Sequence, residues 1–222
     1  MIKEEIFKGI KYLTSLPEDF KETQKYPLVI FLHGAGTRSD NTELLRANPC
    51  FVNLTERQTR GYILVAPLCS VNNWNEIMSE LISLTESLVE LPFVDKTRVY
   101  LTGNSMGGYG TWELGALRPK LFAALMPVCG GGIPWRAEAL KTLPIRTFHG
   151  LRDEVVDPIE SLQMAKAVNK KGGRAELILF PECEHNCWDA VYTDEKNYDW
   201  LLSFSAGKCE SMVEKLSGSY YG

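Results

Sequence analysis

The sequence predicts an α/β fold, with a mostly parallel central sheet and helices on both faces. Three observations predict it. Short apolar runs bounded by Gly or Pro recur along the chain. Helical periodicities separate those runs. The residues best equipped for chemistry follow directly after the runs, where ligands bind in open α/β sheets. Strand alternating with helix implies parallel strands and right-handed crossovers.

The apolar runs are Pro27–His33, Gly61–Pro67, Thr97–Gly103, Phe122–Cys129, Pro144–Gly150 and Arg174–Pro181. Runs this short and rich in Val, Ile and Leu read as strands buried on both faces. Pro127 weakens the fourth, because proline donates no ladder hydrogen bond. Residues 10–16 read as one antiparallel edge strand ahead of the parallel set. Ile77, Leu81, Leu84 and Leu88 share a helical face that stops at Pro92. Ile159, Leu162, Ala165 and Val168 share another, closed by Gly172 and Gly173. Ser105–Leu117 and Thr193–Phe204 are two further helix candidates. The expected organisation is one domain over residues 1–206 and a tail over 207–222.

Composition narrows the function classes. The chain has 222 residues, 45% of them hydrophobic and 23% charged, so it is long and apolar enough to build a core without staples. A formal net charge of −4, without a Lys/Arg cluster, argues against binding a nucleic-acid backbone. No apolar run is long enough to cross a bilayer, and Met1–Glu5 is polar, unlike the start of a secretory signal. The expected location is therefore cytoplasmic, with Cys50, Cys69, Cys129, Cys183, Cys187 and Cys209 reduced.

After the third run comes Gly103-Asn104-Ser105-Met106-Gly107, a G-x-S-x-G sequence between a strand and a helix. A sharp turn there exposes the serine Oγ, and small flanking residues let strand and helix approach closely. With 18 glycines in the chain the match alone is moderate evidence; its strand-turn-helix context is what the motif requires. Acyl transfer from Ser105 also needs backbone N–H donors for the oxyanion. Met106 supplies one as the residue after the nucleophile, and Ala35, in His33-Gly34-Ala35-Gly36, supplies the second.

The fifth run leads into Arg152-Asp153-Glu154-Val155-Val156-Asp157-Pro158. Asp157 before Pro158 reads as a helix N-cap with proline at the first helical position, a structural duty. Asp153 is therefore preferred as the acid that orients a histidine; Asp157 is the rival and Glu154 a distant third. Of three histidines, His33 and His149 end strands, whereas His185 lies in the loop after the last run. A loop histidine alone is most often merely solvated; here it completes a Ser…Asp…His order. Cys183 and Cys187 flank it, but the chain lacks the second tight ligand pair that a zinc site shows, so no metal and no cofactor are expected. These two cysteines read as packing thiols near the site. Trp74 and Trp188 are candidates for the substrate pocket, Trp135 a lesser one, and Trp112 and Tyr109 are expected to pack on the sheet.

On these residues the chain resembles the α/β-hydrolase superfamily over nearly its whole length. It is most similar to small esterases of the dienelactone hydrolase and phospholipase/carboxylesterase group, including compact bacterial proteins described as prolyl-oligopeptidase-like peptidases. The matching stretches are Tyr26–Gly36, Arg98–Gly115, His149–Pro158 and Glu184–Tyr192. The resemblance implies a catalytic triad on Ser105, Asp153 and His185, with oxyanion donors at Ala35 and Met106. It implies a serine carboxylic-ester hydrolase acting through an acyl-enzyme on a small-molecule ester: short acyl, acetyl or feruloyl types. Acyl-thioester or peptide cleavage by the same triad is the alternative within that class. A non-catalytic binding protein on the same fold is the alternative outside it. Two departures stand out: Asp157 replaces a usual proline, and Asn104 precedes the nucleophile. Gly130–Trp135 leaves no room for an inserted lid, which implies an open pocket.

Overall fold

The structure is a computed structural model and describes residues 2–207. The expected tail lies outside the described residues from 208 onward, as does Cys209.

Eight strands form one sheet: β1 (Ile2–Phe7), β2 (Ile10–Ser15), β3 (Tyr26–Leu32), β4 (Ile63–Pro67), β5 (Val94–Asn104), β6 (Ala124–Val128), β7 (Pro144–Gly150) and β8 (Arg174–Phe180), in the order β1-β2-β4-β3-β5-β6-β7-β8. The strands from β3 onward pair in parallel, as the alternating pattern predicts. Pro127 sits inside β6, where its carbonyl accepts from Thr147 Oγ1 on β7 at 3.1 Å.

Helices cover both faces. On one lie α3 (Met78–Val89), α4 (Met106–Leu117) and α5 (Ile159–Lys170); on the other lie α2 (Pro49–Glu56), α6 (Trp188–Thr193) and α7 (Glu195–Leu202), with the short α1 (Thr42–Arg46) before them. Residues of β3 alternate between two cores: Leu28, Ile30 and Leu32 meet Leu81, Trp112 and Met164 on one side, while Val29 and Phe31 meet Phe51, Tyr192 and Tyr198 on the other. Period-two alternation of an all-apolar strand thus serves two layers at once. Among the described residues no helix is long and apolar enough to cross a membrane.

Four expectations change. The strand at 10–16 is not the edge: β2 lies between β1 and β4, antiparallel to both. β1 escapes sequence patterning because its four central residues are exposed; it folds back through Lys8 (φ 45°) and Gly9 (φ 86°), the two left-handed positions of a tight hairpin turn. The last run, β8, is a half-exposed edge rather than a strand buried on both faces. The helix expected at Thr193–Phe204 is two: α6 ends at Thr193, and Asp194 caps α7 by accepting from Lys196 N. Asp157 does cap its helix, its carboxylate accepting from Ile159 N at 2.9 Å.

Candidate active site

Ser105 occupies the turn between β5 and α4 with φ 55° and ψ −120°, a backbone conformation costly for any residue with a Cβ. The surroundings hold it there. The Ser105 amide donates to Val128 O at 2.9 Å. A Cβ on Gly103 would lie 2.4 Å from Gly107 O, and one on Gly107 would lie 1.8 Å from Leu32 O. The glycines of the motif are therefore required by contact with neighbouring backbone, not only by the turn.

His185 comes from the loop between β8 and α6. Its Nε2 lies 2.8 Å from Ser105 Oγ and its Nδ1 lies 2.7 Å from Asp153 Oδ2. With Nδ1–H donating to the carboxylate, Nε2 is left to accept from the serine hydroxyl. The Asp153 side chain is fully buried and its other oxygen accepts from the amides of Val155 and Val156, each at 2.9 Å. Burial alone would raise its pKa; the hydrogen bonds from His185 and from the two amides outweigh burial and hold the carboxyl below its ordinary value. The loops bearing Asp153 and His185 are tied together, with Leu151 N donating to Phe180 O and Arg152 N to Cys183 O. A Cβ on Gly150 would sit 2.1 Å from Glu184 O, so this glycine permits their contact. Trp188 meets the His185 ring edge-on, with centroids 5.1 Å apart.

Ala35 opens a single 3-10 turn after β3, and Met106 opens α4. Among the described residues neither amide donates to a backbone acceptor outside its own helix. A Cβ on Gly34 would be 3.4 Å from Ser105 Cβ, which places the Ala35 loop against the nucleophile turn. His33 anchors that loop: Nδ1–H donates to Gly34 O at 2.8 Å and Nε2 accepts from Cys69 N at 2.9 Å. Both ring nitrogens are thus committed in the neutral form, and burial pushes the His33 pKa down to about 4.

A cavity of about 320 Å³ adjoins Ser105, lined by Trp74, Met106, Tyr109 and Val156 among others. Trp74 reaches it as a buried wall, with Nε1–H donating to His33 O at 3.1 Å. Tyr109, expected on the sheet, instead lines the cavity; its position one α-helical turn past the nucleophile was the available signal. Trp188 braces His185 and is not part of that lining. Trp135 is 81% exposed, whereas Trp112 packs in the core. Asn104 is buried with Oδ1 unpartnered.

Two features had no sequence signal. Cys129, at φ 49°, places Sγ 2.7 Å from Cys187 Sγ directly behind the site, while Cys183 is only partly buried. Cys129, Asp153 and His185 also bring one potential metal-ligating atom each within 4.8 Å of one another, although Asp153 and His185 engage each other through theirs. The second feature is His149, whose Nε2 lies 3.1 Å from the Asp153 oxygen that also serves His185.

Comparison with known proteins bears on the fold. Residues 70–142 match the prolyl oligopeptidase family. A thermostable esterase of known structure superposes with a TM-score of 0.78 at 29% identity, over 92% of this chain and 63% of the other. The chain has the α/β-hydrolase fold. Est1E from Butyrivibrio proteoclasticus has the same fold at nearly equal length, with a TM-score of 0.69 at 17% identity over 91% of this chain and 98% of that one. Among curated proteins, the probable feruloyl esterase C of Aspergillus niger is 24% identical over 185 residues, covering 81% of this chain and 68% of the relative. The chain thus spans about two thirds of these longer relatives, and the proteins it is similar to are named as esterases and peptidases.

Proposed function

We propose that the protein is a serine carboxylic-ester hydrolase in which Ser105, His185 and Asp153 form the catalytic triad. The observation that carries this reading is the unbroken hydrogen-bonded chain from Ser105 Oγ through both nitrogens of His185 to a buried Asp153. A serine hydroxyl is too weak an acid to attack an ester unaided at neutral pH. His185 Nε2 takes the Ser105 proton as Oγ bonds to the acyl carbon. Asp153 keeps Nδ1 protonated and stabilises the imidazolium that forms. The amides of Ala35 and Met106 donate to the oxyanion, and the N-terminus of α4 adds favourable potential. His185 returns the proton to the departing alcohol. Water, deprotonated by His185, then attacks the acyl-enzyme and frees the acid and Ser105.

The cavity beside Ser105 suits a short or planar acyl group between Trp74, Tyr109 and Val156. The feruloyl esterases among its relatives, and the form of Est1E described with ferulic acid bound, favour aromatic-acid esters.

Ser105→Ala is expected to lower p-nitrophenyl acetate turnover by about 10³-fold or more. A fluorophosphonate probe is expected to label Ser105 in the wild type. Full turnover in the Ser105→Ala protein would exclude the assignment, and a folded wild type that neither turns over nor takes the label would favour a binding protein. A panel of p-nitrophenyl esters of increasing length, methyl ferulate, acetylated xylan and an acyl thioester ranks the substrate classes.

A further inference from the structure

We propose that His149 is a positioning residue for the ester hydrolysis described above, acting through Asp153 to set how strongly the carboxylate holds His185.

Proton accounting carries it. His149 is fully buried at the end of β7. Its Nε2 faces two acceptors, Asp153 Oδ2 at 3.1 Å and Val156 O at 2.9 Å. Facing only acceptors, Nε2 carries a proton. Its Nδ1 lies 2.7 Å from Ser161 Oγ on α5, and that hydroxyl reaches Gly130 O at 2.7 Å. The ring is therefore held from β7, from α5 and from the loop after β6. A single carboxylate oxygen, Oδ2, takes N–H bonds from two imidazoles, while the amides of Val155 and Val156 fix Oδ1.

This arrangement has a consequence beyond rigidity. A second donor on Oδ2 draws off part of the negative charge that would otherwise stabilise protonated His185. The donor keeps His185 easier to deprotonate, which leaves Nε2 free to accept at rest and favours return of the proton to the leaving alcohol. The other groups near enough to bear on Asp153 are His185 itself, Tyr109 and Cys187, with Cys129 behind and Glu160 beyond Tyr109. No Lys or Arg hydrogen-bonds Asp153 among the described residues, so His149 is its one donor besides His185 and the two backbone amides.

Two substitutions separate this role from packing. Asn at 149 retains a polar atom near Nδ1, for Ser161, but falls short of Asp153. Gln extends an N–H to about the position of Nε2 and restores the contact. In His149→Asn, kcat is expected to fall about tenfold or more with KM little changed. The acid limb of kcat/KM moves to higher pH by about half a unit or more, because the carboxylate then holds the His185 proton harder. His149→Gln returns both toward wild type. If the Asn variant keeps the wild-type acid limb, or Gln behaves as Asn does, the inference is wrong.

A second measurement needs no change at 149. Asp153→Asn is expected to move the ring 15N signals of both His149 and His185; a shift confined to His185 would overturn the coupling. The inference rests on the triad reading. Should Ser105→Ala retain turnover, both fall; should Ser105→Ala be inactive while the His149 measurements fail, only this one falls.

Discussion

The nucleophile turn and the histidine loop meet at one hydrogen bond but are held in different ways. Around Ser105 the fixing is backbone against backbone: Gly107 touches Leu32, Gly108 touches Val128, and a strained residue is clamped between two parallel strands and a helix. Around His185 the fixing is lighter. A loop leaving an edge strand is attached through a few amides, one glycine contact and the edge of Trp188. Ser105 is thus built into the fold's centre, and His185 is brought to it by a tether. Damage to the first region should cost stability and activity together, whereas damage to the second should cost activity first.

The strongest test of that contrast is Gly107→Ala. A Cβ 1.8 Å from Leu32 O cannot be accommodated without parting β3 from α4, and a loss above about 4 kcal/mol in urea unfolding is expected. A stable, active Gly107→Ala protein would break the comparison.

Acid should attack the nucleophile side next. His33 is neutral in the fold with its pKa near 4, but titrates at its ordinary value of 6.5 when unfolded. Between these values the unfolded chain binds the extra proton, so stability falls as pH drops from 6.5 toward 4. The loss attributable to His33 should be about 2 kcal/mol by pH 5, read as the difference in unfolding free energy between wild type and His33→Gln. Identical pH slopes in the two proteins would remove His33 as the cause.

Gly150→Ala probes the tether. Its Cβ meets carbonyls of the histidine loop rather than the sheet, so the fold should survive while kcat falls about 100-fold through displaced His185. If stability falls as far as for Gly107→Ala, the two regions are not held differently. The smallest effect is expected for Trp188→Ala, which removes an edge-to-face contact worth about 1 kcal/mol. The expected outcome is a few-fold loss in kcat with KM for short esters unchanged, since Trp188 lies outside the cavity; a KM effect instead would make it a substrate contact.

The parallel strands were legible because each buries both faces, which leaves a plain apolar run in the sequence. The spacing of Ser105, Asp153 and His185 was legible for a related reason, since functional residues follow such runs. What was hidden lacks that signature. β1 is exposed and polar, and α6 is one and a half turns long with no room for a repeating face. α1 and α2 owe their starts to the side chains of Asn41 and Asn48, local capping that apolar periodicity does not report. The role of His149 could not be read from position alone. It depends on which oxygen of Asp153 it meets and on Ser161, 12 residues away along the chain.

Val156 binds the two halves of the site into one. It lines the cavity, yet its N–H serves Asp153 and its C=O receives His149. On the proposed mechanism, a bulky acyl chain pressing on this residue leans on the hydrogen bonds that hold Asp153 and His149. Selectivity for smaller guests can thus arise from slower chemistry as well as from poor fit, and redesign for larger ones is better begun at Trp74 or Tyr109.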